Sequence, residues 1–240
     1  MQQTHNIRSK QLTAWAIMIV PLVLSVCYNL SEMFGVREQL LSTPDTLSAY
    51  SIVVNIVTVI CTLSAFWLMA GIASNVATVR FMRFFAIAVC VLDAIRAIFH
   101  YCIKADNNNI EYYSLILSAF FILGVVVNMY FLGGMERNNP DQPVLKQVLR
   151  MWLVVMVLEA GLVPLYVSVG IQNAANIVSS LLFIFIYYKL FTTPVFSGIL
   201  DTTPAPKGAY KFWNSYFKFF LIAYLGLVIL SSVLAIFISK

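Results

Sequence analysis

The 240 residues are 61% hydrophobic and only 10% charged, with a mean hydropathy of +0.87, which is far from the composition of a soluble domain. The net charge of +5 in so apolar a chain indicates membrane topology and contact with anionic lipids, and we exclude nucleic acid as a partner. We therefore expect an integral membrane protein.

Long apolar runs follow one another along the chain and predict seven transmembrane helices. A helix that crosses the hydrocarbon needs about 20 mostly apolar residues, and the runs are too long and continuous for the alternating strands of a membrane barrel. The predicted helices are residues 12–30, 50–74, 80–103, 112–134, 146–170, 174–193 and 210–238. The predicted fold class is all-α: a polytopic membrane helical bundle that forms a single membrane domain, 1–240.

The positions of lysine and arginine predict the orientation, because basic loops stay on the cytoplasmic side. With the N-terminus inside, the outer segments hold only Arg37, Lys104 and Lys240. The inner segments hold Arg8, Lys10, Arg80, Arg83, Arg137, Lys146, Arg150, Lys189, Lys207, Lys211 and Lys218. We predict a cytoplasmic N-terminus and an outer C-terminus in a multi-pass protein of the inner cell membrane. The four tryptophans then fall near the inner interface: Trp15, Trp67, Trp152 and Trp213.

Two segments suggest an internal repeat. Residues 19–26 (IVPLVLSV) align with residues 162–169 (LVPLYVSV) with the proline in register, and NIVT at 55–58 matches NIVS at 176–179. A duplicated four-helix unit, with helices 1–4 as one copy and helices 5–7 as a shortened second copy, would form a parallel repeat of the kind some transporters contain. Chance similarity between short apolar segments is the alternative.

Ionisable residues inside the predicted spans are the candidate site, because a charge in the membrane interior is costly unless it is paired or hydrated. Asp93 lies 13 residues after Arg80 in the third helix, and Glu159 lies 13 residues after Lys146 in the fifth. Both helices run outward, so the two carboxylates are predicted at similar depth near the midplane. Arg96 follows Asp93 by one turn, and we expect Arg96 to be buried.

Two acids and one guanidinium leave one carboxyl without a counter-charge. If Arg96 pairs with Asp93, then Glu159 is left to bind a proton or a cation, as the carboxyl of a proton-coupled carrier does. The structural alternative is an intrahelical pair of Asp93 and Arg96 beside a permanently protonated, hydrogen-bonded Glu159.

Further polar residues lie toward the outer half of the bundle. They are predicted to line a vestibule above the acids, and they include His100, Asn55, Asn176 and Tyr166. An asparagine in a membrane helix is more often a hydrogen-bonded contact between helices than a ligand contact, so each of these residues also has a purely structural interpretation.

Enzymatic and metal-binding functions lack the required residues. The chain has two histidines and four cysteines, with no HExxH, CxxC, GxSxG or P-loop pattern. We predict no catalytic residue, no cofactor and no metal site.

Two functions fit these patterns. In the first, the protein binds or translocates a small solute or lipid, coupled to a proton or cation through Asp93, Arg96 and Glu159. In the second, it is a non-catalytic membrane subunit that assembles with a partner membrane protein or with copies of itself, and the buried charges specify the packing. Membrane lipids are expected partners in both cases.

Overall fold

A computed structural model describes residues 2–35, 44–102, 110–162 and 169–197. Within these ranges all regular structure is helical and no strand occurs. The helices are α1 (Gln2–Met33), α2 (Pro44–Ala70), α3 (Val76–Cys102), α4 (Ile110–Asn138), α5 (Pro143–Leu162) and α6 (Val169–Phe191), followed by a 3-10 turn at Pro194–Phe196. The predicted all-α class is confirmed for these residues, and the predicted seventh helix, 210–238, lies outside them.

Local sequence explains several of the helix boundaries. Pro44 and Pro143 are the first residues of α2 and α5, where the missing N–H of proline has no intrahelical partner to lose. The Oδ1 atom of Asn75 accepts a hydrogen bond from the backbone N–H of Thr78 at 2.7 Å, which caps the start of α3.

The fifth and sixth helices differ from the predicted boundaries. The sixth helix begins at Val169 rather than at 174, and the described part of the fifth helix runs to Leu162, so the predicted end at 170 falls within the sixth helix. Val169 and Gly170 therefore belong to α6. Hydropathy alone does not detect this change because the sequence is apolar on both sides of it. Residues 163–168, which contain most of the second copy of the suggested repeat, lie outside the described residues, so the duplication stays a prediction.

Three of the helices contain segments that are long and apolar enough to cross a membrane. These segments are Asn6–Met33 in α1, Ile52–Ala70 in α2 and Asn173–Phe191 in α6. Their length and composition are compatible with an integral membrane protein.

The six helices are arranged as a ring in chain order. Each helix packs against its neighbours along the chain, and α6 packs back against α1. A ring of this kind gives every helix one face toward the centre and one face toward the surroundings. The outward face of α2 is a continuous apolar stripe formed by Val53, Ile56, Ile60 and Leu63, which is the surface that lipid would cover.

An aromatic cluster fills the centre of the ring toward its predicted inner end. The Phe85 and Phe131 rings stack with centroids 4.3 Å apart, and Phe66 contacts Phe85 at 4.8 Å. The Trp152 ring lies 5.6 Å from Phe131 and 5.3 Å from Tyr187. Helices α2 to α6 all contribute to this cluster, and ring pairs of this geometry add about 0.5–1.5 kcal/mol each beyond their buried area.

Trp152 lies in the core of the ring. Its side chain is only 1% exposed and lies at the centre of the aromatic cluster, and its depth near the inner interface stays a prediction. The inward face of α5 carries it between α3, α4 and α6, where an indole fills a gap that a smaller residue would leave open. Trp67, by contrast, is on the surface, and the Arg83 guanidinium lies 4.8 Å from its ring centroid.

Hydrogen bonds fasten the turns at the same end of the ring. Asn75 donates through its amide to Oδ1 of Asn139 at 2.9 Å, and Asn139 donates to the Thr78 hydroxyl at 3.1 Å. The backbone N–H of Ser74 donates to the carbonyl of Val195 at 2.6 Å. The α2–α3 turn is thereby hydrogen-bonded both to the residue that follows α4 and to the 3-10 turn.

Candidate functional site

Asp93 and Arg96 form the predicted ion pair on α3. The Nη2 atom of Arg96 lies 3.5 Å from Oδ1 of Asp93, one helical turn away. Asp93 follows Met82 and Ala86 on the same helix face, and both of these are fully buried. The acid therefore continues the inward face of α3, two turns beyond the tightly packed core.

The pair is more open than the sequence suggested. Asp93 is 28% exposed and Arg96 is 56% exposed, so the expectation that Arg96 is buried is wrong. The aromatic cluster ends below this level, and the neighbouring side chains Ile95 and Ile98 are exposed as well. The guanidinium extends from a part of α3 that no described side chain covers closely.

Helix register brings Asn55 to the level of this pair. The Cys90 thiol on α3 donates to the Val59 carbonyl on α2 at 3.4 Å, and the two helices are antiparallel neighbours. Asn55 precedes Val59 by four residues and Asp93 follows Cys90 by three, so their backbones are within about one turn of the same height. Asn55 itself is half-buried.

The same argument applies to Glu159 on α5. Phe85 and Trp152 are ring neighbours at 5.6 Å, and α3 and α5 run in the same direction. Asp93 is eight residues beyond Phe85 and Glu159 is seven beyond Trp152, which gives rises of about 12 Å and about 10.5 Å. The backbones of the two acids are thus at similar height. The Glu159 side chain lies outside the described side chains, so the meeting of the two carboxylates stays a prediction.

Asn176 belongs to a hydrogen-bonded contact between α6 and α1. Its amide donates to Oδ1 of Asn29 at 3.2 Å. Asn29 in turn donates to the backbone carbonyl of Ser25 at 2.7 Å, and the hydroxyl of Ser180 donates to the hydroxyl of Ser25 at 3.2 Å. We call Ser25, Asn29, Asn176 and Ser180 the polar seam. Asn176 is therefore engaged in helix packing, as its structural interpretation predicts.

One donor next to the polar seam has no partner among the described residues. Asn173 is 4% exposed, and its Nδ2 atom makes no hydrogen bond within that part of the chain. It precedes Asn176 by one turn on α6. A buried amide donor that lacks an acceptor costs about 1–3 kcal/mol, so this position is the least satisfied polar group next to the seam.

Two further predicted site residues receive no side-chain description. His100 is part of α3, two turns beyond Asp93, but its side chain lies outside the described side chains. Tyr166 lies outside the described residues altogether. Of the seven candidates, Asp93 and Arg96 form a direct contact, Asn55 and the Glu159 backbone share their level, and Asn176 lies in the polar seam.

The seam contains residues that the sequence analysis did not select. Ser25 and Asn29 are four residues apart on α1, and Asn176 and Ser180 are four apart on α6. This spacing puts each pair on one helix face. The spacing is visible in the sequence and could have predicted a polar face on each helix. Hydropathy did not detect it because a serine or asparagine in a long apolar run hardly lowers the average.

A third acid, Glu136, lies near the end of α4. This is the predicted inner end of the bundle, outside the predicted span 112–134. Burial raises the pKa of the Glu136 carboxyl, while Lys146 and Arg150 on α5 act in the opposite direction. Its Oε2 atom is buried without a hydrogen bond among the described residues. The last turns of α4 therefore contain a carboxyl whose pKa is raised by burial and lowered by the two neighbouring cations.

No group of three or more histidine, cysteine, aspartate or glutamate side chains converges within the described ranges. Comparison with family models, curated proteins and solved structures finds no match to this chain. Its function must therefore be argued from its own residues.

Proposed function

We propose that the protein is a seven-span membrane protein of the inner cell membrane that binds or translocates a small solute or lipid, coupled to a proton or cation through Asp93, Arg96 and Glu159. The observation that carries the proposal is the 3.5 Å contact of Arg96 with Asp93 at the backbone height of Glu159. An ion pair with one exposed partner, at the backbone height of a second acid, is an arrangement that a charged or polar ligand could enter.

The charge balance supports coupling. The Arg96 guanidinium already lies against Asp93, so the negative charge of Glu159 is left for a proton or a cation to neutralise. A carboxyl that alternates between these states inside the membrane can link ligand binding to proton movement. Asn55, at the same height, would supply an amide for a polar group of the ligand.

The distribution of charge supports the proposed orientation. The first turns of α3 and α5 and the last turns of α4 and α6 carry a series of cations: Arg80, Arg83, Arg137, Lys146, Arg150 and Lys189. These segments lie at the same end of the bundle as the Asn75–Asn139 contact and the 3-10 turn. A cytoplasmic position for this end satisfies the positive-inside rule.

One observation favours the alternative function, a non-catalytic subunit. Asn176, one of the predicted ligand contacts, is hydrogen-bonded to Asn29 within the bundle. If the buried polar groups act mainly on helix packing, then the protein would assemble with a partner membrane protein or with copies of itself, and no solute would move.

Glu159→Gln separates the two functions. The full chain is reconstituted in liposomes that contain a pH-sensitive dye, and internal pH is recorded as amino acids, organic cations and short-chain lipids are added in turn. A coupled carrier moves protons with at least one of them, and Glu159→Gln abolishes that signal while the protein stays folded. Glu111→Gln, the same change at the start of α4, should retain it. A wild-type protein that moves no protons with any of them supports the subunit instead.

A further inference from the structure

A cavity of about 460 Å³ opens between the start of α1 and the end of α6. Its polar lining includes Arg8 and Gln11 from α1, Tyr188 from α6, and Thr193 and Ser197 from the segment that follows α6. The Gln11 amide donates to the carbonyl of Phe196 at 3.1 Å, and this bond holds the two walls of the cavity together. The start of α1 and the segment after α6 are therefore directly linked beside the cavity.

The lining is suited to an anion. Arg8 is exposed and provides a guanidinium, and none of the described lining residues is acidic. The Gln11 amide has a second N–H besides the one bonded to Phe196, and the Ser197 and Tyr188 hydroxyls are further donors. Arginine with neighbouring amide and hydroxyl donors matches the oxygens of a phosphate group.

An apolar surface continues from the cavity along the bundle. Leu12 and Tyr188 both line the cavity and are 41% and 37% exposed. Phe185 and Leu181 extend the same face of α6 by one and two turns and are exposed as well. The Lys189 amine lies 5.5 Å from the Phe185 ring centroid, which adds a second cation at the same end.

We propose that this cavity binds the phosphate headgroup of an anionic phospholipid, whose acyl chains lie along Leu12, Tyr188, Phe185 and Leu181. Charge complementarity and the adjoining apolar face together favour a lipid over a free anion, because a soluble phosphate has no acyl chains to cover that face. Basic pockets between transmembrane helices on the cytoplasmic side recognise lipid headgroups in this way. The inference rests on the proposed membrane orientation, and it does not depend on solute translocation.

Binding of short-chain lipid to the delipidated full chain in detergent tests the inference. Dioctanoyl phosphatidylglycerol, dioctanoyl phosphatidylcholine and inorganic phosphate are titrated, with binding followed by native mass spectrometry. We expect phosphatidylglycerol to bind more tightly than phosphatidylcholine, and millimolar phosphate not to displace it. Since a basic residue at the membrane surface is worth about 1 kcal/mol, Arg8→Gln should weaken phosphatidylglycerol binding about five-fold or more.

Lys10→Gln is the matched control, because it removes the same charge from an exposed position on α1 that does not line the cavity. It should change affinity less than two-fold, and Arg8→Lys should retain most of it. The proposal is overturned if Arg8→Gln binds as the wild type does, if the two lipids bind equally, or if phosphate displaces the lipid. Lipid binding in detergent requires no proton movement, so failure of the carrier function and failure of the lipid site give different results.

Discussion

The side-chain amide of Asn176 on α6 donates to Oδ1 of Asn29 on α1 at 3.2 Å, and this contact joins the last described helix to the first. Asn29 is 5% exposed, and its own amide is bonded to Ser25. The ring of helices is thus closed by a polar contact in its predicted outer half and, in its inner half, by the Trp15 ring of α1 against the Tyr188 ring of α6, with centroids 5.1 Å apart.

Replacement of either asparagine should loosen the α1–α6 contact. We expect Asn176→Leu to lower the free energy of unfolding by about 1 kcal/mol, because it removes one interhelical hydrogen bond and leaves the Asn29 oxygen without that donor. Unfolding in mixed micelles with increasing denaturing detergent measures the loss. The double variant Asn29→Leu/Asn176→Leu should lose less than the sum of the two single changes, and additive losses would contradict a direct bond.

Loss of the Arg96 guanidinium should lower the free energy of unfolding more than loss of the Asp93 carboxylate. Arg96 is 56% exposed, so Asp93→Asn should cost about 1 kcal/mol or less. Asp93 is the more enclosed of the two, so Arg96→Gln should cost more, up to about 3 kcal/mol. Thermal unfolding of both variants and of the double variant in detergent gives the order and the coupling energy. A larger loss for Asp93→Asn would mean that the guanidinium is enclosed in the membrane.

The Phe81 ring of α3 packs directly against Gly134 of α4. The ring occupies the position that a Cβ atom at Gly134 would take. Gly134→Val should therefore displace the Phe81 ring and destabilise the protein by about 1–3 kcal/mol, which thermal unfolding in detergent measures. Gly124→Ala is the control on the same helix, since nothing lies within 4 Å of the place where its Cβ atom would be, and it should be neutral or slightly stabilising. Equal stability of Gly134→Val and the wild type would contradict the close approach.

Glu136 should make stability depend on pH. Burial raises the pKa of its carboxyl, so the folded protein binds this proton more tightly than the unfolded chain does. Stability should therefore fall as pH rises from the ordinary glutamate pKa through the raised one, and Glu136→Gln should remove that fall. Thermal unfolding between pH 4 and pH 8, about the range in which a raised glutamate titrates, measures both slopes. Asp141→Asn, which removes an exposed acid from the neighbouring turn, controls for net charge. If Glu136→Gln shows the same pH dependence of stability as the wild type, another group causes that dependence.

The sequence alone determined the class of the protein and the heights of its charged groups. Composition and the length of the apolar runs predicted an all-helical bundle, because backbone polar groups must be satisfied within each segment in lipid. Counting residues from Arg80 and Lys146 put Asp93 and Glu159 at similar depth, because the rise per residue of a helix is constant. The helical backbones agree with that count.

Only the tertiary structure decided which way each side chain faces. A helix between lipid and a protein core is apolar on both sides, so its sequence carries little periodicity from which to choose the inward face. The sequence therefore did not show that Trp152 faces the core, and it overestimated the burial of Arg96. It also gave no weight to Asn29, whose contact with Asn176 depends on two helices 147 residues apart in the chain being brought side by side.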